Sequence, residues 1–400
     1  MAVLFPTPRA WKNVQLAWLR SVYRRFRLRG TGVPADLALR IEGDTTADSA
    51  FNGKGAVLVQ QRATRAAARQ SMLRWMIYPE QTAELALPQT IESDDAGGFA
   101  QSKAIHLPAM YVYRITNGLY HGDRGAVIDN QRRVFRDLLD APLGPLREPL
   151  TKTEPFFCSG KAMVLSSSRN YFHWLIKMLP RLHLLERTGL LPTGVDAVLI
   201  NNPTLAQGEA YVRARLPARS LRIVGSRGFW CCSQLYVSSV PHNVPAWAVT
   251  FLRKLFGPVP PADNPRAVYL MRGATTRRRV QNESDICEHL AQRGITPIDL
   301  TRRSFVEQMQ TMDNADVIVA PHGSALANLI FARTGTRLLE IFANPANQKC
   351  YWMLACHRQL SYHYFMADAV LKGQNPNEFD MVIRREKLDR ALDFLMRTKE

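Results

Sequence analysis

The sequence contains two series of strand and helix signals, separated by a proline-rich break at 257–265, GPVPPADNP. On both sides of this break, short apolar runs typical of strands alternate with segments that have helical periodicity. Strands that alternate with helices favour a parallel sheet with helices on its faces. The chain is therefore predicted to be an α/β protein with two Rossmann-like halves, and the break is typical of an interdomain linker.

The two series differ in regularity. In the second, Asn282 and Ser304 are residue types that favour helix N-caps, and Ser304 with Glu307 forms the S-x-x-E pattern of a capping box. Strands are predicted there at 267–271, 295–300, 316–320 and 337–342, with helices at 282–293, after Ser304 and after His322. In the first series, strands are predicted at 111–115, 163–167, 197–201, 221–225 and 234–239, a hairpin at 126–138, and helices at 170–189 and 205–215.

Composition limits the classes of protein and partner. With 400 residues, 46% of them hydrophobic, the chain can bury a core in about two or three domains. A net charge of +18 fits nucleic acid, an anionic membrane surface or a negatively charged small substrate. Basic residues concentrate at 1–30 and 272–279 rather than along one groove with stacking aromatics, so no nucleic-acid partner is expected. The segment 1–30 is predicted either as an amphipathic helix on an anionic membrane or as a packed helix with a solvated basic face.

The cysteine pattern and the N-terminus bear on location. The six cysteines lack the C-x-x-C spacing of zinc sites and the density of a disulfide scaffold, which favours a reducing compartment. Prolines and an arginine interrupt the apolar residues at the start, and no apolar run is long enough to span a bilayer. The expected location is cytoplasmic, with peripheral attachment to the inner face of the cell membrane. The predicted segments are a basic N-terminal segment (1–30), an unassigned region (31–100), a first α/β domain (101–256), a second α/β domain (257–376) and a closing strand and helix (377–400).

The stretch VIVAPHGSALANLIFARTGTRLLEIF, 317–342, predicts an anion site. His322 and Gly323 follow an apolar strand and open a helix, whose first N–H groups lack intrahelical acceptors and attract negative charge. Gly323 and Ser324 permit close approach of the backbone. The alternative is that His322 is a polar residue with a satisfied hydrogen bond at a helix start.

Arginines add to this prediction. Arg272 leaves the end of a strand and Arg277–Arg279 precede the helix at Asn282. In open α/β sheets, ligands bind outside the carboxyl ends of strands, so these residues are expected to converge with His322, unless the arginine run is a solvated loop. The sequence lacks G-x-G-x-x-G, P-loop, H-E-x-x-H and D-x-D motifs, so cations and helix ends are expected to hold a diphosphate, without a metal or other cofactor. The donor-binding candidates are Arg272, Arg279, Asn282, His322, Gly323, Ser324, Asn328 and Glu340.

Two of these candidates carry specific expectations. Asn328 is predicted to lie one helical turn past Ser324, on the same face. Glu340 is expected either to accept hydrogen bonds from ribose hydroxyls or to pair with an arginine.

In the first half, Asn170 and His173 lie at the start of a helix, and His173 is either a general base on the acceptor side or a core histidine. Arg181 is either an acceptor contact, as is predicted for Asn170, or a surface residue near the kink at Pro180.

Three motifs resemble a known family. NYFHWLIKMLPRLHLL, Arg272 followed by RRVQNE, and the stretch 317–342 occur in an order similar to that of glycosyltransferase family 61, over roughly 105–395. The resemblance implies a GT-B fold of two Rossmann-like domains facing across a cleft, with the donor on the C-terminal domain. It also implies inverting, metal-independent transfer from a nucleotide sugar, and the bacterial capsular polysaccharide branch fits best.

The resulting hypothesis is a hexosyl- or pentosyltransferase that adds a sugar from a nucleotide sugar to a surface polysaccharide or lipid-linked acceptor. His173 is predicted to be its catalytic residue, although an acid near 92–95 is an alternative base. A different class of function is a catalytically inactive protein that binds polysaccharide or nucleotide sugar on the same fold.

Overall fold

A computed structural model describes residues 57–59, 72–92, 98–121, 126–128, 135, 138, 156–165, 170–189, 195–200, 222–225, 229–273, 275–343, 349–371, 375 and 378–397. The strands are β1 Val57–Val59, β2 Met72–Tyr78, β3 Gln81–Glu84, β4 Gln89–Thr90, β5 Ala104–Leu107, β6 Met110–His121, β7 Ala126–Ile128, β8 Phe156–Leu165, β9 Ala197–Ile200, β10 Arg222–Gly225, β11 Phe229–Ser238, β12 Ala267–Leu270, β13 Thr296–Ile298, β14 Val317–Pro321, β15 Arg337–Phe342, β16 Ser361–Met366, β17 Asp368–Val370 and β18 Asp380–Val382. The α-helices are α1 Pro180–Glu186, α2 Ala246–Phe256, α3 Glu283–Gln292, α4 Phe305–Asn314, α5 Cys350–Arg358 and α6 Arg385–Arg397.

The chain divides into two compact units, each with its own sheet. Unit 1 comprises Met1–Glu80 and Pro108–Pro241, and unit 2 comprises Gln81–Leu107 and His242–Glu400. The proline-rich break at 257–265 follows α2 inside unit 2. The prediction of a mixed α/β protein is confirmed.

Unit 1 contains a mixed sheet with the order β1-β2-β6-β11-β8-β9-β10, and β7 pairs with β6. The strands β11, β8, β9 and β10 run parallel to one another, as alternation predicts. The pairs β1–β2, β2–β6, β6–β7 and β6–β11 are antiparallel. The prediction of a parallel sheet was therefore wrong for this part. Its physical reason is β6, a twelve-residue strand that pairs with β2 before it and β11 far after it, with no crossover helix between β2 and β6 among the described residues.

The helix predicted at 170–189 begins with two α-helical residues and continues as a π-helix at His173–Met178 before α1. Leu179 N donates to Trp174 O at 3.1 Å, five residues back. Pro180 has no N–H to donate to the preceding turn, which favours a break in the α-helical ladder just before it. Trp174, Leu175 and Ile176 are buried, so this element is anchored by its apolar side.

Unit 2 contains a parallel sheet with the order β13-β12-β14-β15-β16-β4. One face is covered by α3 and α6, whose Ile286, Leu290, Leu388 and Leu392 pack against Tyr269 and other strand residues. A 3₁₀ helix at Ser324–Phe331 contacts α2, α4 and α5, and α5 contacts β16. The parallel sheet of the second series was predicted correctly, and it places the ends of β12 and β14 at one edge.

Local helix signals in unit 2 have mixed outcomes. The capping box of α4 is confirmed: Glu307 N donates to Ser304 Oγ and Ser304 N donates to Glu307 Oε2. The closing strand and helix predicted at 377–400 correspond to β18 and α6. The predicted basic segment 1–30 and the helix predicted at 205–215 lie outside the described residues. No helix in the described part of the chain has the length and apolar character needed to cross a membrane.

Candidate functional site

The candidate site lies at the edge of the unit 2 sheet where β12 and β14 end, which we call the carboxyl edge. Arg272 lies two residues past β12, and His322 and Gly323 follow β14 directly. β12 and β14 are parallel neighbours, paired from Ala267 with Val317 to Tyr269 with Val319. Their ends therefore bring Arg272 and Gly323 together, as the sequence predicted.

The side chain of Arg272 is held by main-chain and hydroxyl oxygens of the loop that follows it. Nε donates to Arg278 O at 3.1 Å, and Nη2 donates to Arg277 O at 2.7 Å and Thr275 Oγ1 at 3.3 Å. The main chain is held by Glu283, which accepts from Arg272 N at 2.7 Å and Gly273 N at 3.0 Å. Arg277 and Arg278 thus contribute carbonyls that orient Arg272, a role that the charge of the arginine run did not predict.

Gly323 provides the space in which Arg272 lies. A Cβ at position 323 would meet Arg272 Nη1 at 2.0 Å and Cζ at 3.0 Å. Both distances are shorter than ordinary van der Waals contacts, so any larger residue would displace the guanidinium. Nη1 has no hydrogen-bond partner within the described part of the chain, and it lies against the main chain at the helix start. This atom is available to a ligand.

The charged side chain of Arg272 has different surroundings from that of Arg266, at the other end of β12. Arg266 donates two hydrogen bonds to Asp316, at 2.7 and 2.9 Å, and both side chains are more than half exposed. Among the described residues, Arg272 has no ion pair with a carboxylate. Burial, followed by the charge of Arg278, lowers the pKa of Arg272, which indicates that its cation is poorly solvated. An anion bound at Nη1 would relieve this.

His322 is held by a buried carboxylate. Its Nδ1 lies 2.5 Å from Glu340 Oε1, and Tyr362 donates from its hydroxyl to Glu340 Oε2 at 2.7 Å. Glu340 is 1% exposed, so its charge is separated from water and depends on these donors. The expectations that Glu340 contacts ribose or pairs with an arginine do not describe its position: both carboxylate oxygens accept from protein groups inside the unit.

Several predicted donor residues have other contacts. The predicted side-chain cap at Asn282 was wrong, because its amide binds the main chain of Ile383 and makes no cap hydrogen bond. Asn328 is buried and donates to Gln308 Oε1 at 3.2 Å. The prediction that it shares a face with Ser324 was also wrong, because a 3₁₀ helix has three residues per turn. Arg279 has an exposed side chain, and its main-chain N donates to Asp380 Oδ1. Ser324 begins the 3₁₀ helix and is half-buried.

The candidates of unit 1 have separate surroundings. Asn170 is exposed and its Oδ1 accepts from Phe172 N at 2.8 Å, at the start of the helix. His173 is half-buried and lies edge-on to the ring of Phe172. Arg181 is 1% exposed and donates to Ser238 Oγ at 3.1 Å and Ser238 O at 2.9 Å. It is not the surface residue that one alternative described, because its guanidinium binds the end of β11 inside the unit.

The alternative base near 92–95 is described only at Glu92. Its carboxylate pairs with Lys387 at 2.9 Å and accepts from Met366 N at 2.7 Å. These contacts join β4 to the end of β16 and to α6. Residues 93–97 lie outside the described part of the chain.

Sequence reasoning missed three residues of the carboxyl edge. Glu283 holds the main chain of Arg272, Tyr362 binds Glu340, and Tyr351 lies with its ring centre 5.0 Å from that of His322. Glu283 was included only as the last residue of the RRVQNE motif, with no predicted contact to Arg272. A signal for Tyr362 and Tyr351 would have required knowledge of how α5 and β16 pack, since both are distant in sequence from His322.

Within the described residues, no group of three or more His, Cys, Asp and Glu side chains could hold a metal ion.

Comparison with known proteins finds a similarity in the middle of the chain. No curated protein matches the chain. Residues 171–339 match the family model described as Glycosyltransferase 61, a segment that covers less than half of the chain and ends one residue before Glu340. The match includes His173, Arg272 and His322, and it supports the resemblance of this segment to the glycosyltransferase 61 family.

Proposed function

We propose that the protein is a glycosyltransferase that takes its sugar from a nucleotide sugar, with the donor diphosphate bound at the carboxyl edge of unit 2. The observation that carries the proposal is the guanidinium of Arg272. It is partly buried, has no carboxylate partner among the described residues, and leaves Nη1 beside Gly323, the residue that follows His322. A diphosphate supplies the negative charge that this arrangement lacks. The family match at 171–339 supports sugar transfer as the reaction.

In this proposal, the carboxyl edge stabilises the leaving group. When the bond between the anomeric carbon and the diphosphate oxygen breaks, its electron pair stays on that oxygen. Arg272 Nη1, the N–H groups at the start of the 3₁₀ helix and His322 would stabilise the added charge from fixed positions. Positions fixed before the reaction need little reorganisation, and Gly323 and the loop at 275–278 fix Arg272.

The proposal also includes the finer features implied by the resemblance. They are a GT-B arrangement, inverting transfer without a metal, and a surface-polysaccharide or lipid-linked acceptor reached from a membrane surface. His173 is proposed as the base that removes the proton from the acceptor hydroxyl, because imidazole suits proton transfer near neutral pH.

The test compares two arginines at opposite ends of β12. Wild-type protein, Arg272→Met and the matched control Arg266→Met are titrated with a panel of nucleoside diphosphates and nucleotide sugars by calorimetry. Loss of a hydrogen bond to a charged group costs about 1.5–3 kcal/mol, so Arg272→Met should bind the preferred donor roughly 10- to 150-fold more weakly. Arg266→Met should bind like the wild type.

Two outcomes would contradict the proposal. Equal donor affinity in Arg272→Met and wild type would remove the diphosphate from the carboxyl edge. Donor binding without slow hydrolysis or transfer of any donor in the panel would favour the catalytically inactive binding protein instead.

A further inference from the structure

Glu340 is a buried carboxylate, and each of its two oxygens faces a ring or hydroxyl group of another residue. Oε1 faces His322 Nδ1 at 2.5 Å and Oε2 accepts from the Tyr362 hydroxyl at 2.7 Å. Ala320 pairs with Glu340 in the sheet, and Tyr362 comes from β16, the next strand. A hydrogen bond at this distance needs one hydrogen between the two atoms, and an ionised carboxylate accepts it from Nδ1. The contact therefore fixes which nitrogen of His322 faces the interior of the unit.

The remaining contacts of His322 fix the plane of its ring. The ring stacks on Phe342 with centres 5.3 Å apart and lies against Tyr351 at 5.0 Å. Its main-chain N donates to Ile341 O at 2.9 Å. Nε2 has no hydrogen-bond partner among the described residues, and the side chain keeps 7% of its exposure. Nε2 is thus the ring atom that a ligand can reach.

We propose that Glu340 and Tyr362 are positioning residues, which hold His322 so that Nε2–H donates a hydrogen bond to an oxygen of the donor diphosphate. This inference rests on the proposed function, because it assumes that a diphosphate occupies the carboxyl edge. No proton is transferred: the hydrogen stays on Nε2 while the electron pair of the broken glycosidic bond stays on the leaving oxygen. Glu340 supplies the negative charge that balances the doubly protonated ring.

The charged and titratable groups around His322 agree with this assignment. Glu340 and Tyr362 come from β15 and β16, Cys350 and Tyr351 from α5, and Arg272 and Arg278 from the loop after β12. Burial raises the pKa of Tyr351 and that of Tyr362 well above the ordinary value, so both keep their phenolic hydrogen near neutral pH. The two arginines add positive charge, which makes an anionic ligand the expected partner of Nε2.

The experiment measures the ring directly. Protein with ¹⁵N-labelled histidine is examined by NMR, and the His322 signals are assigned by their loss in His322→Gln. We expect hydrogen on Nδ1 in the ligand-free wild type, and a change of the Nε2 shift when inorganic pyrophosphate is added. Glu340→Gln keeps an acceptor oxygen but removes the charge, and it should weaken pyrophosphate binding about tenfold or more.

A second variant and a matched control keep the inference testable if Glu340→Gln does not fold. Tyr362→Phe leaves Glu340 in place and removes one donor to it, so a smaller loss of about threefold to tenfold is expected. Tyr364→Phe, two residues along the same strand, should bind pyrophosphate like the wild type and keep the same His322 signals.

The results separate this inference from the proposed function. A ligand-free wild type with hydrogen on Nε2 and none on Nδ1 would overturn the inference, whether or not any ligand binds. Unchanged binding and unchanged His322 signals in both Glu340→Gln and Tyr362→Phe would do the same. If Nδ1 carries the hydrogen but neither pyrophosphate nor any nucleotide sugar binds, the proposed function fails and the inference, which needs the diphosphate, fails with it, whereas the orientation of the ring stands.

Discussion

The carboxyl edge of unit 2 and the helical segment 171–186 of unit 1 each combine a histidine with a buried or partly buried arginine. At the carboxyl edge, Arg272 Nη1 and His322 Nε2 have no hydrogen-bond partner among the described residues. In the helical segment, Arg181 is fully buried and its guanidinium binds Ser238 at the end of β11. A histidine and an arginine in one segment therefore do not by themselves indicate a ligand site. Donors at fixed positions that have no partner among the described residues do.

The largest expected effect concerns His173, the histidine of the helical segment, which is proposed as the general base. A general base contributes about 10²–10⁴-fold to turnover, so His173→Gln should lower kcat by that factor and leave donor affinity unchanged. The matched control is His183→Gln, on α1, whose ring nitrogen lies 2.7 Å from the Tyr78 hydroxyl. Kinetics with the donor identified by calorimetry provide the measurement. Normal turnover in His173→Gln would make it a packing residue and would leave unit 1 without an assigned base.

A smaller effect is expected at Gly323. A Cβ there would lie 2.0 Å from Arg272 Nη1, so Gly323→Ala should move the guanidinium and weaken donor binding by roughly 10- to 100-fold, the loss of one charged hydrogen bond. Gly118→Ala is the control in unit 1, because its Cβ would lie 2.8 Å from Leu235 Cβ. Overpacking of a core costs about 1–3 kcal/mol, so this control should lower the melting temperature and keep donor affinity.

The opposite result for Gly323→Ala would remove the distinction between the two glycines. If Gly323→Ala lost thermal stability and kept donor affinity, the close approach of Arg272 would be a packing feature like that of Gly118. The carboxyl edge would then no longer differ in kind from the core of unit 1.

The parts that the sequence predicted well depend on neighbours in the chain. The capping box joins Ser304 and Glu307, which are three positions apart, and the strands of unit 2 were recognisable as apolar runs. Arg272 and His322 were predicted together because parallel strands end at one edge, which is a rule of topology. These signals needed no knowledge of distant contacts.

The parts that were missed depend on contacts between distant residues. β4 has two residues and pairs with β16, more than 270 positions later, so no local sequence pattern predicts this strand. Glu340 was expected either to accept from ribose hydroxyls or to pair with an arginine, whereas its carboxylate faces His322 and Tyr362 inside the unit. The 3₁₀ geometry after Gly323, which turns Asn328 toward Gln308, likewise depends on packing against α4 and α5.

The smallest expected effect concerns His363, a buried histidine of the same sheet. Burial, with a smaller contribution from Arg337, lowers the pKa of His363 from 6.5, although Ser361 O accepts at Nδ1 and opposes this. Below about pH 6.5 the unfolded chain therefore binds a proton that the folded chain does not, so stability is complete above that pH and is lost as pH falls. His363→Phe keeps a ring against Phe394 and should reduce this loss, measured as melting temperature between pH 8 and pH 5.5. An identical pH profile in variant and wild type would mean that His363 takes up its proton in the folded state too, and burial alone would not then distinguish it from His322, whose ring faces Glu340.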